Sequence, residues 1–203
     1  TEDGKVYICL GNAYGTYQIS LTPSHNIYQF KNDILQLYQP ESPESHDYSK
    51  DYLIFRVTQN GTFEFIGSTT ENTLSYSLDG GNTWVALAHD TNTPTIASGS
   101  TIMWKGTGLT PQELEGIGKF TSTGRYKVEG NIMSLTHGDD FATATTVQDY
   151  EFYGLFSDST RLTSAENLVL PATTLAEYCY CNMFGSCTRL TKAPALPATT
   201  LAY

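Results

Sequence analysis

Three groups of residues in this chain have types and spacings that could do chemistry. Cys179-x-Cys181 followed by Cys187 gathers three thiols in one short stretch. Tetrahedral zinc needs a further ligand and a Cys-x-x-Cys spacing, and no histidine lies nearby. Buried thiols are the first reading, a disulfide the second and a metal the last. His137-Gly138-Asp139-Asp140 sets two carboxylates beside an imidazole, a set that could hold a hard cation. It is equally the composition of a solvated turn, which is the expectation here. The third group is Ser77-Leu78-Asp79-Gly80-Gly81-Asn82-Thr83-Trp84. In a hairpin loop the Asp79 carboxylate accepts backbone N–H bonds, the glycines supply positive φ, and the indole packs under the turn. Turn chemistry alone accounts for this stretch. Glu113 and Glu115 are too close together to flank a glycosidic bond. The sequence holds no His-Glu-x-x-His, no Gly-x-Ser-x-Gly and no phosphate loop. No pair of acid and base groups stands out, so no enzyme, no catalytic residue, no metal and no cofactor is expected.

The elements that position these groups are mostly strands. Val6-Tyr7-Ile8-Cys9-Leu10 reads as a buried strand and Tyr17-Gln18-Ile19-Ser20-Leu21 as a half-buried one. Ile27 to Tyr38 fits a helix through Ile27, Phe30, Ile34, Leu35 and Tyr38, or a strand through Leu35-Gln36-Leu37. Gln39 to Ser45 contains only Gln, Pro, Glu and Ser and reads as a linker or loop. From Asp51 to Gly130 short strands alternate with turn signals. Asn60-Gly61 predicts a hairpin between 52–57 and 62–66; with Thr62 it also spells a glycosylation sequon. Asp79 to Asn82 predicts a second hairpin between 74–77 and 83–87, and Thr123-Gly124 lies between Phe120 and Tyr126. This spacing predicts a β-sandwich or barrel. The expected organisation is residues 1–48 as N-terminal strands and linker, either on their own or joined to the β-rich module. Residues 49–130 form that module, which is β-sandwich-like, and 131–203 a repeat segment.

The repeats are explicit. Leu170-Pro171-Ala172-Thr173-Thr174-Leu175-Ala176 returns unchanged at 196–202, and Thr160-Arg161-Leu162-Thr163 returns as Thr188-Arg189-Leu190-Thr191. The offset is 28 residues at Leu162 and Leu190 and 26 at Pro171 and Pro197. A worn copy lies upstream, where Thr143 to Val147 aligns with Pro171 to Leu175 and Tyr150 with Tyr178. Its strand is expected over Asn131 to Leu135. A period in the twenties is the mark of a solenoid whose units bury their apolar sides on one another. Leu175, Tyr178, Cys179, Asn182 and Met183 follow the spacing of one helix face. Thr173 or Thr174 would cap that helix and Gly185 would end it. The fold class is therefore mainly β with a short α/β solenoid. Leu162, Val169, Leu170, Leu175, Met183, Phe184, Leu190, Leu196 and Leu201 form its expected core.

At Met183-Phe184-Gly185-Ser186-Cys187-Thr188-Arg189-Leu190 and at the Leu-Pro-x-x-x-x-Leu turns, the chain resembles the BspA-like leucine-rich repeats of bacterial surface proteins. The earlier copy departs from the pattern, with Ser159 where Cys187 falls and Asp158 where Ser186 falls. The resemblance covers about residues 131–203. It implies a secreted or cell-surface protein that adheres to or recognises a host macromolecule. Separately, Ser77 to Trp84 is similar to the Asp box of sialidase-like propellers, but it occurs once and only four arginines are present.

Charge narrows the partners. The chain has 203 residues, 21 Asp+Glu against 11 Lys+Arg, and a formal net charge of −10. That disfavours nucleic acid and anionic membrane, and no apolar run is long enough to span a bilayer. The start at Thr1 and a last residue, Tyr203, placed where the next helix would begin suggest a longer natural protein with more repeats. The expectation is a monomer that binds a host protein or glycan without a cofactor. Glu166, Asn167 and Glu177 vary between the repeats and are the candidate contacts. Trp84 and Trp104 are the candidates for stacking on sugar in the alternative reading, a glycan-binding module of a polysaccharide-utilising system.

Overall fold

The computed structural model describes residues 28–31, 34–37, 46–67, 73–88 and 90–201. The chain divides into two compact units, Thr1–His46 and Asp47–Tyr203. In the first, β1 (Tyr28–Lys31) and β2 (Ile34–Leu37) form an antiparallel hairpin, with Phe30 opposite Leu35. The ambiguous stretch from Ile27 to Tyr38 therefore contains strands rather than a helix. The strands expected at 6–10 and 17–21, Cys9 and the 39–45 linker lie outside the described residues.

The second unit holds β3 (Leu53–Val57), β4 (Phe63–Gly67), β5 (Thr73–Ser77), β6 (Val85–Leu87), β7 (Thr101–Thr107), β8 (Gly118–Ser122) and β9 (Tyr126–Asn131). Helix α1 (Ser134–His137), β10 (Leu162–Val169), β11 (Thr174–Leu175) and β12 (Thr200–Leu201) come next. Six of these strands make one mixed sheet in the order β10-β9-β3-β7-β5-β6, in which only β10 and β9 run parallel. The alternation along β7 turns Ile102, Trp104 and Gly106 inward. A two-stranded sheet of β4 and β8 contributes Phe63, Phe65 and Phe120 to the same core. Phe55 is the hub. Its ring lies 5.3 Å from Phe63, 4.9 Å from Phe120, 4.8 Å from Tyr126 and 5.5 Å from Trp104.

Asn60-Gly61 does not close a hairpin. β3 pairs with β7 and β9, whereas β4 pairs with β8. Thr123-Gly124 makes the matching crossing, from β8 to β9. The two corners lie back to back, with the Thr58 N–H donating to the Arg125 carbonyl and the Thr123 N–H to that of Thr62. A Cβ on Gly61 would sit 2.2 Å from the Gly124 nitrogen, so Gly61 serves the close approach of two chain corners, not hairpin twist. The strand expected over Asn131 to Leu135 is the end of β9 followed by α1. The repeat segment is continuous with the sheet, because Leu168 and Val169 of β10 pair with Gly130 and Asn131 of β9.

The helix expected from Leu175 to Met183 is a string of turns. Backbone φ is positive at Tyr178, Asn182 and Ser186, and 28 residues earlier at Tyr150, Gly154 and Asp158. Along each pass alternate N–H groups close a local turn, as Tyr153 does to Tyr150 and Cys181 to Tyr178. The N–H groups between them, on Tyr150, Phe152, Gly154, Phe156 and Asp158, donate to the carbonyls of Glu177, Cys179, Cys181, Met183 and Gly185. The two passes thus lie side by side, and rings stack across them at the 28-residue offset. Tyr150 lies on Tyr178 at 5.1 Å, Phe152 on Tyr180 at 5.9 Å and Phe156 on Phe184 at 5.6 Å, with planes within 20° of parallel. A four-residue turn repeat turns Cys179 and Met183 inward, and over so short a stretch it mimics a 3.6-residue helix.

Burial reflects this layering. Leu162, Leu170 and Met183 are buried, while Val169, Leu175, Phe184 and Leu190 are half-buried. Leu196, expected in the core, is 56% exposed, because among the described residues no further layer covers it. The side chain of Leu201 is outside the described residues.

Substitution at Asn182 separates the two backbones. Left-handed φ costs most non-glycine residues about 1–2 kcal/mol, and Asn tolerates it best. Asn182→Val is therefore expected to lower the unfolding free energy by about 1–2 kcal/mol, and Asn182→Gly to leave it unchanged or raise it. In a helix the glycine would instead cost about 1 kcal/mol. Urea denaturation of both variants reads the sign.

Candidate functional site

The residues singled out in the sequence do not converge. Glu166 and Asn167 lie on β10, one edge of the six-stranded sheet, and Trp84 lies beside β6, the other edge. Trp104 is fully buried. It is a core residue and cannot stack on a ligand, which corrects its candidacy. Glu166 is exposed and held by Lys192, whose Nζ lies 2.6 Å from a carboxylate oxygen. Asn167 is half-buried, its Nδ2 donating to the Tyr48 hydroxyl at 2.9 Å. Glu177 is exposed, and its backbone N–H donates to the Asp149 carboxylate at 2.9 Å.

Ser77 to Trp84 is a loop between paired strands, with Leu74 opposite Leu87 and Tyr76 opposite Val85. Gly80 and Gly81 take φ of 74° and 91°. The Asp79 carboxylate accepts the Thr83 N–H at 2.9 Å, the Thr83 hydroxyl at 2.7 Å and the Ser77 hydroxyl at 2.8 Å. These donors, Thr83 first, hold its pKa at about 2. The lowered value sets the sign of the pH effect. The loop's stabilisation is complete above the ordinary carboxylate pKa of about 4. It is lost as pH falls from there towards about 2. A carbon-detected NMR titration should follow the Asp79 carboxyl to a midpoint well below the ordinary carboxylate value of about 4.

Trp84 is half-buried below this loop. Lys105 Nζ sits 4.4 Å from the centre of its ring, and the Tyr52 ring is 5.0 Å away. Asp139 ties the group together, accepting from Lys105 Nζ at 2.8 Å and from the Tyr52 hydroxyl at 2.7 Å. The lysine first, and then the hydroxyl, lower the Asp139 pKa. Burial and the carboxylate push Tyr52 up to about 12. His137-Gly138-Asp139-Asp140 thus spans the end of α1 and a 3-10 turn, with Asp139 serving the aromatic cluster. Among the described residues no group of three or more His, Cys, Asp or Glu is placed to hold a metal. Cys179, Cys181 and Cys187 are all free; Cys179 is buried and Cys187 donates its S–H to the Phe156 carbonyl.

A second region was only half visible in the sequence. Beside Tyr150 lies a cleft of about 590 Å³, bounded by Pro111 and Glu113 on one side and by Val147, Asp149 and Ala176 on the other. Tyr150 stacks on Tyr178, which is 49% exposed. Desolvation raises the pKa of the Tyr150 hydroxyl, and the nearby carboxylates of Glu113, Glu177 and Asp149 raise it further. The 28-residue offset marks Tyr150 with Tyr178 and Asp149 with Glu177 as columns. Nothing in the sequence joins Glu113 to them, because it arrives on a separate loop.

Comparison with protein-family models, with curated proteins and with solved structures returns no match. Among the described residues no helix is long and apolar enough to cross a membrane.

Proposed function

We propose that this chain is a non-enzymatic recognition module of a secreted or cell-surface protein. Its stacked turns act as a short solenoid of the BspA-like leucine-rich-repeat type, presenting an extended face to a host macromolecule. The observation that carries this reading is the contact of neighbouring passes at one offset on the surface. Half-buried Tyr150 stacks on exposed Tyr178, and the Asp149 carboxylate accepts the Glu177 backbone N–H, both 28 residues apart. A periodic surface reads an extended partner through many modest contacts, unlike the deep apolar concavity that small molecules need. Glycan binding is the second reading. It now rests on Trp84 alone, since Trp104 is enclosed.

The test is surface plasmon resonance of the protein against immobilised host matrix proteins, alongside a glycan array. Binding to a matrix protein that is lost in Glu177→Lys with Tyr178→Ala, and kept in Trp84→Ala, supports the solenoid face. Loss in Trp84→Ala alone moves recognition to the β-rich half. Release of sialic acid from a sialylated glycan would refute the non-enzymatic reading.

A further inference from the structure

We propose that the cleft beside Tyr150 seats a lysine- or arginine-bearing segment of a protein partner. This rests on the proposed recognition function and names the chemistry of what is recognised. Its apolar lining is Tyr150 with Pro111, Val147 and Ala176, set among the polar Gln112 and Gln148. The Tyr178 ring extends it by stacking on Tyr150 at 5.1 Å. The carboxylates of Glu113 and Asp149 line the same cleft, and Glu177 adjoins them through its backbone N–H to Asp149.

Like several other carboxylates of the unit, these have no cation partner among the described residues, whereas five others do. Asp47, Asp139, Asp158 and Glu166 each face a lysine, and Glu129 faces Arg56. Among the described residues no lysine or arginine pairs with Glu113, Asp149 or Glu177. A neutral ligand in the cleft would strip water from these carboxylates without replacing it, and an anion would be repelled. A lysine or arginine head answers both demands. It compensates the carboxylates and lies against the face of a tyrosine, while its methylene stem covers Pro111 and Val147. The net charge of −10 draws cations to the whole surface, so the experiment has to separate the cleft from general attraction.

The probe is a fluorescein-labelled oligolysine, with an uncharged Gly-Ser peptide of equal length as reference. Binding is read by fluorescence anisotropy on the intact protein at low and physiological salt. Saturable oligolysine binding is expected, with none for the Gly-Ser peptide. Tyr150→Leu should weaken it roughly three- to thirtyfold, while Tyr150→Phe, which keeps the ring, should hold near wild type. Glu113→Gln with Asp149→Asn should weaken it comparably, Asn keeping the oxygen that accepts the Glu177 N–H. Removing the same charge elsewhere, by Asp47→Asn with Asp158→Asn, should change affinity less than about twofold. If Tyr150→Leu loses its native circular dichroism, the two charge-removing pairs decide. The proposal is overturned by non-saturable binding, by equal losses from both pairs, or by full affinity in a folded Tyr150→Leu protein. If the protein binds a matrix protein through Tyr178 but ignores oligolysine, only the cationic partner is withdrawn. If it takes oligolysine at the cleft yet binds no host protein, the proposed recognition function falls and the site stands.

Discussion

Phe156→Ala is expected to lower the unfolding free energy of the second unit by about 3–5 kcal/mol. Phe156 is fully buried and sits between two parallel rings, Phe120 at 5.9 Å and 17° and Phe184 at 5.6 Å and 6°. Phe120 belongs to β8 and Phe184 to the second pass of turns, so this ring joins the sheet core to the stacked segment. Its backbone does the same, with the N–H donating to the Met183 carbonyl and its own carbonyl accepting the Cys187 S–H. Truncation leaves a hole that neither neighbour can fill, since both are held by their strands or turns. Urea unfolding should remain one transition at a lower midpoint, by tryptophan emission and by Cys187 reactivity alike. If Cys187 opens early while tryptophan emission keeps the wild-type midpoint, the stacked turns and the sheet unfold separately, and the joint assigned to Phe156 is wrong.

What the sequence disclosed depended on how local each determinant is. The Ser77 to Trp84 loop was legible because its donors, acceptor and glycines all lie within eight residues. Asn60-Gly61 was not, because its glycine answers Gly124, which pairing of distant strands brings to it. The turns at 175–187 failed as a helix for another reason. Apolar residues at four-residue spacing satisfy either geometry, and only the left-handed residues and the N–H bonds between passes tell them apart. The offset itself could be read, because identical stretches reveal it whatever backbone they adopt. Exposure could not. Trp84 and Trp104 look alike in sequence, and their fates depend on where β6 and β7 lie in the sheet. The cleft was half legible, with Tyr150 and Tyr178 in the repeat and Glu113 outside it.

Trp104→Ala should be as damaging as the change at Phe156, about 3–5 kcal/mol, with an informative internal contrast. The indole is fully enclosed, 5.5 Å from Phe55, 5.0 Å from Phe120 and 5.8 Å from Tyr76. Among the described residues its Nε1–H reaches no hydrogen-bond acceptor, and an unmet buried donor costs about 1–3 kcal/mol. Trp104→Phe removes that donor while refilling most of the space. It should therefore cost about 1.5 kcal/mol or less, far below the alanine variant. Trp84→Ala removes a half-exposed ring under Lys105 and should cost about 1 kcal/mol. Thermal melts of the three variants give the order, and emission spectra assign the signals. The blue-shifted component should vanish with Trp104, and the solvent-quenched one with Trp84. A Trp104→Ala protein as stable as Trp84→Ala would mean that the indole does not fill this core. It would also reopen Trp104 as a ligand-stacking residue.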